Sequence, residues 1–304
     1  MEKHINTSIY TNDRILAWLK FFSEKTDLNL ERVQIIDTTE KKKNVLHTVE
    51  ANRRVLVFAG ADNQNLFYDM WQAGLGECEI WFKPGLEPEG DVQPSVVREC
   101  INLEITEPTA ILIINDNAHS HRRFGLRNER FSRGSVRYVG SEIRAIIISM
   151  LDIDEQENIC IISGESIAVE CAMIASEGTI ITVEYDKYDR QSMEDNVEKF
   201  GLHNVEIIEN CDADSLIKLP VPNQAFIVAT GKLEQEIENL LKVNPKMKFT
   251  VYTLEMNLLC RIPAIFEKFG IQNMEIMQVA ISNLNSKNIF ETQPAPWIIT
   301  GEIV

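Results

Sequence analysis

The sequence predicts an α/β protein in two parts, the second built on a parallel sheet that ends in an antiparallel pair of strands. Two observations carry this expectation. After residue 140, five short apolar runs alternate with helical stripes, and the chain then closes with two consecutive strands that have no helix between them.

In the first half, Asn12-Asp13 opens a helix whose Ile15, Leu16, Leu19 and Phe22 share one face. Val33 to Ile36, Val55 to Phe58, Glu79 to Phe82 and Ala110 to Ile114 read as strands, and Leu66, Met70 and Trp71 as a helix stopped at Gly74. The Pro- and Gly-rich stretch from Lys83 to Gly90 reads as a rigid polar loop. From Asn115 to Arg137 periodicity fails and arginines gather at 122, 123, 127, 130, 133 and 137. The expected organisation is therefore an α/β domain over 1–118, a linker over 119–139 and a second domain over 140–304.

Ser141 is the expected cap of a helix whose Ile143, Ile146, Ile147, Met150 and Leu151 recur at one-face spacing. The runs Ile159 to Ile162, Thr179 to Glu184, Val205 to Ile208, Ala225 to Ala229 and Phe249 to Thr253 are near-continuously apolar, which suits a sheet covered on both faces. Between them lie the stripe Met193, Val197, Phe200, stopped by Gly201, and the stripe Leu233, Ile237, Leu240, Leu241. A further stripe from Leu258 to Phe269 ends at Gly270, with Pro263 expected to kink or split it. Met274 to Ser282 and Trp297 to Val304 form the closing strands, joined by a polar loop from Asn283 to Pro296. Strand alternating with helix implies parallel pairing.

Composition narrows the function. Of 304 residues, 44% are hydrophobic and 25% charged, without an apolar run of membrane-spanning length. A net charge of −16 repels phosphate backbones, so neither a membrane nor a nucleic acid is an expected partner. The six cysteines stand singly and no zinc spacing occurs; buried free thiols, no metal and a cytoplasmic location are expected. His119 and His121 have no further ligands in view, and no Ser-His-Asp order or paired-carboxylate motif appears, so no catalytic residue is assigned.

Certain residues carry a family likeness. The segment Phe124-Gly125-Leu126-Arg127-Asn128-Glu129-Arg130-Phe131 followed by Ser141-Glu142-Ile143-Arg144-Ala145, then Glu170 and Ala172, Glu177-Gly178, Asn196 with Glu198-Lys199-Phe200-Gly201, Asn204-Val205-Glu206, Asp212-Ala213 and Gln293-Pro294, resembles the decarboxylating domain of precorrin-6Y methyltransferase of cobalamin synthesis. More faintly, Gly74-Leu75-Gly76 with the strand at Glu79 resembles the second subdomain of the methylase often fused ahead of it, as a remnant lacking the subdomain that carries the first cofactor loop.

The resemblance implies a Rossmann-like class I methyltransferase sheet, S-adenosylmethionine as cofactor, an acidic tetrapyrrole as substrate and a homo-oligomer. It assigns the cofactor loop to Gly164, the ribose acid to Glu184, the adenine side to Asp212 and Ala213, and a substrate-side loop to Gly231. Here the run Ile161 to Glu170 keeps only Gly164 of three spaced glycines and lacks the preceding Asp, and Val139-Gly140 stands where the family has Thr-Lys. Two readings follow: a methyltransferase, or a noncatalytic relative with a degenerate cofactor site that binds or assembles. On the residues alone, Glu184 also reads as a solvated strand end and Asp212 as a helix cap.

Overall fold

In the computed structural model, residues 9–26, 28–29, 32–118, 125–132, 139–284 and 286–304 are described. His119, His121 and the arginines at 122, 123, 133 and 137 lie outside them. The chain divides into two compact units, Met1–Arg123 with Lys199–His203 and Phe124–Glu198 with Asn204–Val304.

The first unit runs α1 (Asn12–Thr26), β1 (Gln34–Asp37), α2 (Val45–Ala51), β2 (Arg54–Ala59), α3 (Leu66–Met70), β3 (Glu79–Pro84), β4 (Pro94–Val96) and β5 (Thr109–Ile114). Its sheet is ordered β1-β2-β5-β3-β4, and only β1 and β2 are parallel. Alternate residues of a strand face opposite sides. Leu56, Phe58 and Leu112 accordingly meet Trp18, Phe21 and Phe22 of α1, while Val55, Val57, Ile111 and Ile113 meet Phe67 and Met70 of α3. After α3 a π-helical turn reverses at Gly74, whose φ of +84° suits a residue without a Cβ.

The second unit runs α4 (Ser141–Leu151), β6 (Ile159–Ile162), α5 (Glu165–Ile174), β7 (Ile180–Val183), α6 (Lys187–Phe200), β8 (Val205–Ile208), α7 (Ala213–Leu216), β9 (Gln224–Val228), α8 (Leu233–Val243), β10 (Lys248–Thr253), α9 (Met256–Phe269), β11 (Gln272–Gln278), β12 (Ser282–Leu284), β13 (Phe290–Thr292) and β14 (Trp297–Glu302). The seven-stranded sheet is ordered β11-β14-β10-β9-β6-β7-β8. β8, β7, β6, β9 and β10 are parallel, and β14 enters antiparallel between β10 and β11. The chain goes from β6 outward through β7 to β8, then returns to β9 on the other side of β6. That reversal is the switch point at which such sheets open a ligand crevice beyond the strands' carboxyl ends. Below the crevice, Cys160, Ile162, Ala225 and Ile227 pack against Ile237 and Leu240 of α8 and Ile262 and Phe266 of α9.

Four details depart from expectation. Ser141 is the first helical residue, with Gly140 at the cap, and its hydroxyl turns to Glu142. α9 runs unbroken through Pro263, because Leu258, Ile262, Ile265 and Phe266 hold both halves in one core. The loop from Asn283 to Pro296 contains a small hairpin, β12 with β13. Cys260 is exposed, whereas the other five thiols are buried and none is disulfide-bonded.

Candidate cofactor crevice and its brace

β6, β7 and β8 are in register, Ile162 beside Val183 and Val183 beside Ile208. The residues that follow each strand therefore leave the sheet on one edge. After β6 comes Ser163, a non-glycine residue at φ +56° whose N–H donates to Val183 O at 3.0 Å. Gly164 follows at φ −128°, so glycine is not required there by backbone angle. Contact requires it instead: a Cβ would stand 2.6 Å from Ile161 Cγ2 and 3.1 Å from Phe226. The chain's own core accounts for this glycine.

Glu184 leaves β7 on the same edge and is 1% exposed. Its carboxylate accepts from Thr182 Oγ1 at 3.3 Å and from the amide of Gly164. Burial, reinforced by the nearby carboxylates of Glu165 and Asp189, pushes its pKa up to about 8. A carboxyl that the sequence offers as a ribose acid or a solvated strand end is thus enclosed. Glu165 is not loose either, since Asn196 Nδ2 donates to its Oε1 at 2.8 Å.

Asp212 acts as the N-cap of α7: its Oδ1 accepts from Ser215 N at 2.9 Å and its Oδ2 from Ser215 Oγ at 3.0 Å. Ala213 is the first residue of that helix. Gly231 is exposed, with open space around the position a Cβ would take.

Sequence reasoning passed over a second cluster. Tyr185, next after Glu184, donates its hydroxyl to Glu236 Oε1 at 2.7 Å, and Lys232 Nζ lies 3.6 Å from the centre of the Tyr185 ring. Glu236 is 2% exposed and its Oε2 has no hydrogen-bond partner. Burial pushes its carboxyl up, while Tyr185 and Lys232 pull the other way. The sequence did hold a signal: Glu236 occupies the i+3 slot of the apolar stripe Leu233, Ile237, Leu240, a buried position given to an acid.

The residues that carried the family likeness assemble elsewhere, into a buried brace. Arg144 of α4 and Glu170 of α5 are both 0% exposed and pair at 2.7 Å. Glu170 also accepts from the amides of Gly125 at 2.8 Å and Leu126 at 3.0 Å. Arg144 also donates to Asn128 Oδ1, Val139 O and Leu126 O and stacks on Phe131. Asn196 of α6, 0% exposed, exchanges hydrogen bonds with the main chain of Ser132. Residues 125–132, read from sequence as linker, are thereby fastened to α4, α5 and α6. Among the described residues no group of three His, Cys, Asp or Glu side chains is arranged to hold a metal.

The family model described as a precorrin methyltransferase domain matches residues 136–290, a little over half of the chain. The chain belongs to that family. Its fold is similar to that of precorrin-6Y C5,15-methyltransferase from Geobacter metallireducens GS-15, with a TM-score of 0.55 and 22% identity over 59% of this chain and 97% of that one. It is similar also to the C-terminal domain of precorrin-6Y C5,15-methyltransferase from Rhodobacter capsulatus, with a TM-score of 0.50 and 16% identity over 60% of this chain and 99% of that one. No curated protein matches. As a precorrin methyltransferase domain the second unit has the class I sheet of S-adenosylmethionine-dependent methyltransferases, and the Arg144–Glu170 brace closes its α4–α5 side.

Proposed function

We propose that the chain is an S-adenosylmethionine-dependent C-methyltransferase for an acidic tetrapyrrole of precorrin type. The observation that carries this reading is the strand order β9-β6-β7-β8, with Gly164, Glu184 and Asp212 following three adjacent parallel strands on the edge where the fold opens. The residues fit the cofactor in kind: an acid after β7, an open glycine at 231, and a buried carboxylate oxygen of Glu236 that lacks a donor. When bound, the cofactor supplies an electrophilic methyl group. The chain's task is then to bind, orient and exclude water, which needs few reactive side chains. Glu184 would hold the ribose hydroxyls, turning out of its enclosure and ionising as it does so. The arginine-rich run from 122 to 137 is the feature suited to an acidic substrate on an otherwise acidic chain. By the precorrin-6Y resemblance, transfer would accompany loss of an acetate carboxyl.

Two observations favour a second reading, a noncatalytic relative. Glu184 is buried among other acids, and Asp212 already caps a helix. Melting with and without S-adenosylhomocysteine separates the two. A ligand at one hundred times its dissociation constant adds about 2.7 kcal/mol to the folded state. At about 2–4 °C per kcal/mol, the methyltransferase reading expects a rise of roughly 5–10 °C. No rise at millimolar ligand favours the relative.

A homo-oligomer is part of the proposal. Edge strand β11 is exposed at all seven residues, Met274, Ile276 and Met277 among them, and an apolar edge of this kind suits pairing with a second copy. No helix among the described residues is long and apolar enough to cross a membrane. A cytoplasmic location is proposed from the unpaired thiols.

A further inference from the structure

The corner formed by Tyr185, Glu236 and Lys232 has properties that the fold does not need. A buried carboxylate oxygen without a donor is costly and uncommon in native structures, and each such group calls for an explanation. Glu236 Oε2 is in that position, 2% exposed, while its other oxygen is held by Tyr185 at 2.7 Å. The ring of the same tyrosine packs on the core and carries an ammonium over its face, Lys232 Nζ at 3.6 Å. Lys232 is exposed and follows Gly231, around which space is open. Its N–H donates to Thr230 Oγ1 at 3.2 Å, so the loop is held by its main chain, while the exposed ammonium attracts the Glu236 carboxylate, a pull that a displacing ligand must offset. A flat aromatic face beside an acceptor that lacks its donor is the complement of a flat heterocycle bearing an amino group on its edge.

We propose that this corner reads the purine of the cofactor: the adenine ring takes the place of Lys232 on Tyr185 and gives its exocyclic amine to Glu236 Oε2. The inference rests on the reading of the chain as an S-adenosylmethionine-binding protein. Asp212, the acid that sequence matching puts on the adenine side, has an oxygen engaged by each donor of Ser215. Glu236 is the carboxylate with an oxygen unmatched. Exchanging an exposed cation–π contact for a ring stack is close to neutral, so the new hydrogen bond sets the preference.

The test is calorimetric titration of the full chain, and of its Glu236→Met and Lys232→Met variants, with S-adenosylhomocysteine and with S-inosylhomocysteine. The second ligand replaces the amine by a carbonyl. The full chain should prefer the adenosyl ligand by about tenfold or more. Glu236→Met, which leaves no strong acceptor, should erase that preference, and Lys232→Met should tighten both ligands about twofold or more, having removed the competing cation. A preference that survives in Glu236→Met overturns the inference while leaving the methyltransferase reading intact. Weaker binding by Lys232→Met contradicts the role of that lysine as a displaceable cover. Failure of the full chain to bind either ligand defeats the methyltransferase reading itself, and the inference with it. Each preference is a ratio within one variant, so a partly unfolded sample leaves it unchanged.

Discussion

Glu170 and Glu184 are two carboxylates of the second unit, 0% and 1% exposed, in opposite circumstances. Glu170 is filled by a guanidinium and two amides. Glu184 has a hydroxyl and one amide and faces Glu165 and Asp189, with a pKa pushed up to about 8. A buried acid whose lone pairs are met by charged and amide donors is a structural joint. One enclosed among like charges sits in a state that a ligand with hydroxyl donors can relieve. The contrast separates matched residues that hold the domain together from the acid that follows β7.

The comparison breaks most visibly at the brace. Arg144→Met leaves Glu170 buried without its cation, which should cost about 3–5 kcal/mol. The melting temperature should fall on the order of 10 °C. Adding Glu170→Gln, which removes the uncompensated charge but keeps an acceptor for the amides of Gly125 and Leu126, should recover part of that loss; a double variant less stable than the single would mean that the guanidinium does not offset the charge of Glu170.

Next comes Glu184. Its folded pKa is raised above the unfolded value, so its contribution to stability is fully present at low pH and is lost as pH rises from about 4.5 through about 8. Each unit is worth about 1.36 kcal/mol, which puts the effect on the order of a few kcal/mol. Glu184→Gln should flatten denaturant midpoints measured between pH 5 and 8 and should stabilise the chain at pH 8. A variant whose pH profile matches the parent would contradict the enclosure of this acid.

Gly164→Ala introduces a methyl 2.6 Å from Ile161 Cγ2 and should destabilise by about 1–3 kcal/mol through overpacking. An unchanged midpoint in urea would show that the turn has slack. The smallest effect belongs to Asp212→Ala, about 1 kcal/mol for a lost cap. Affinity for S-adenosylhomocysteine should stay within about threefold; a loss beyond tenfold would return Asp212 to the ligand.

Much of this was legible in the sequence. Ile159 to Ile162 is seen as a strand with the bounds expected, because a strand covered on both faces demands an unbroken apolar run, and Val205 to Ile208 keeps its expected bounds at the sheet's edge although the exposed Glu206 interrupts it. α2 and β4 escaped. The helix has seven residues and no distinct stop, and the strand has three and opens on Pro94, which an edge position tolerates. Pro263 misled through its local cost of about 3 kcal/mol, which the buried stripe on both sides of it outweighs. For the residues that follow β6, β7 and β8, it was the resemblance that named Gly164, Glu184 and Asp212. It was silent on enclosure, since an acid after a strand looks the same whether solvated or buried. Glu236 stayed hidden because an acid inside an apolar stripe gains meaning only when its partner, Tyr185, arrives from another element.

The most direct test of the central claim is a crystal structure of the full chain grown with saturating S-adenosylhomocysteine. The account predicts ligand density along the carboxyl ends of β6 and β7, with Glu184 rotated toward the ribose. A crevice without ligand, and Glu184 still closed in against Thr182, would contradict it.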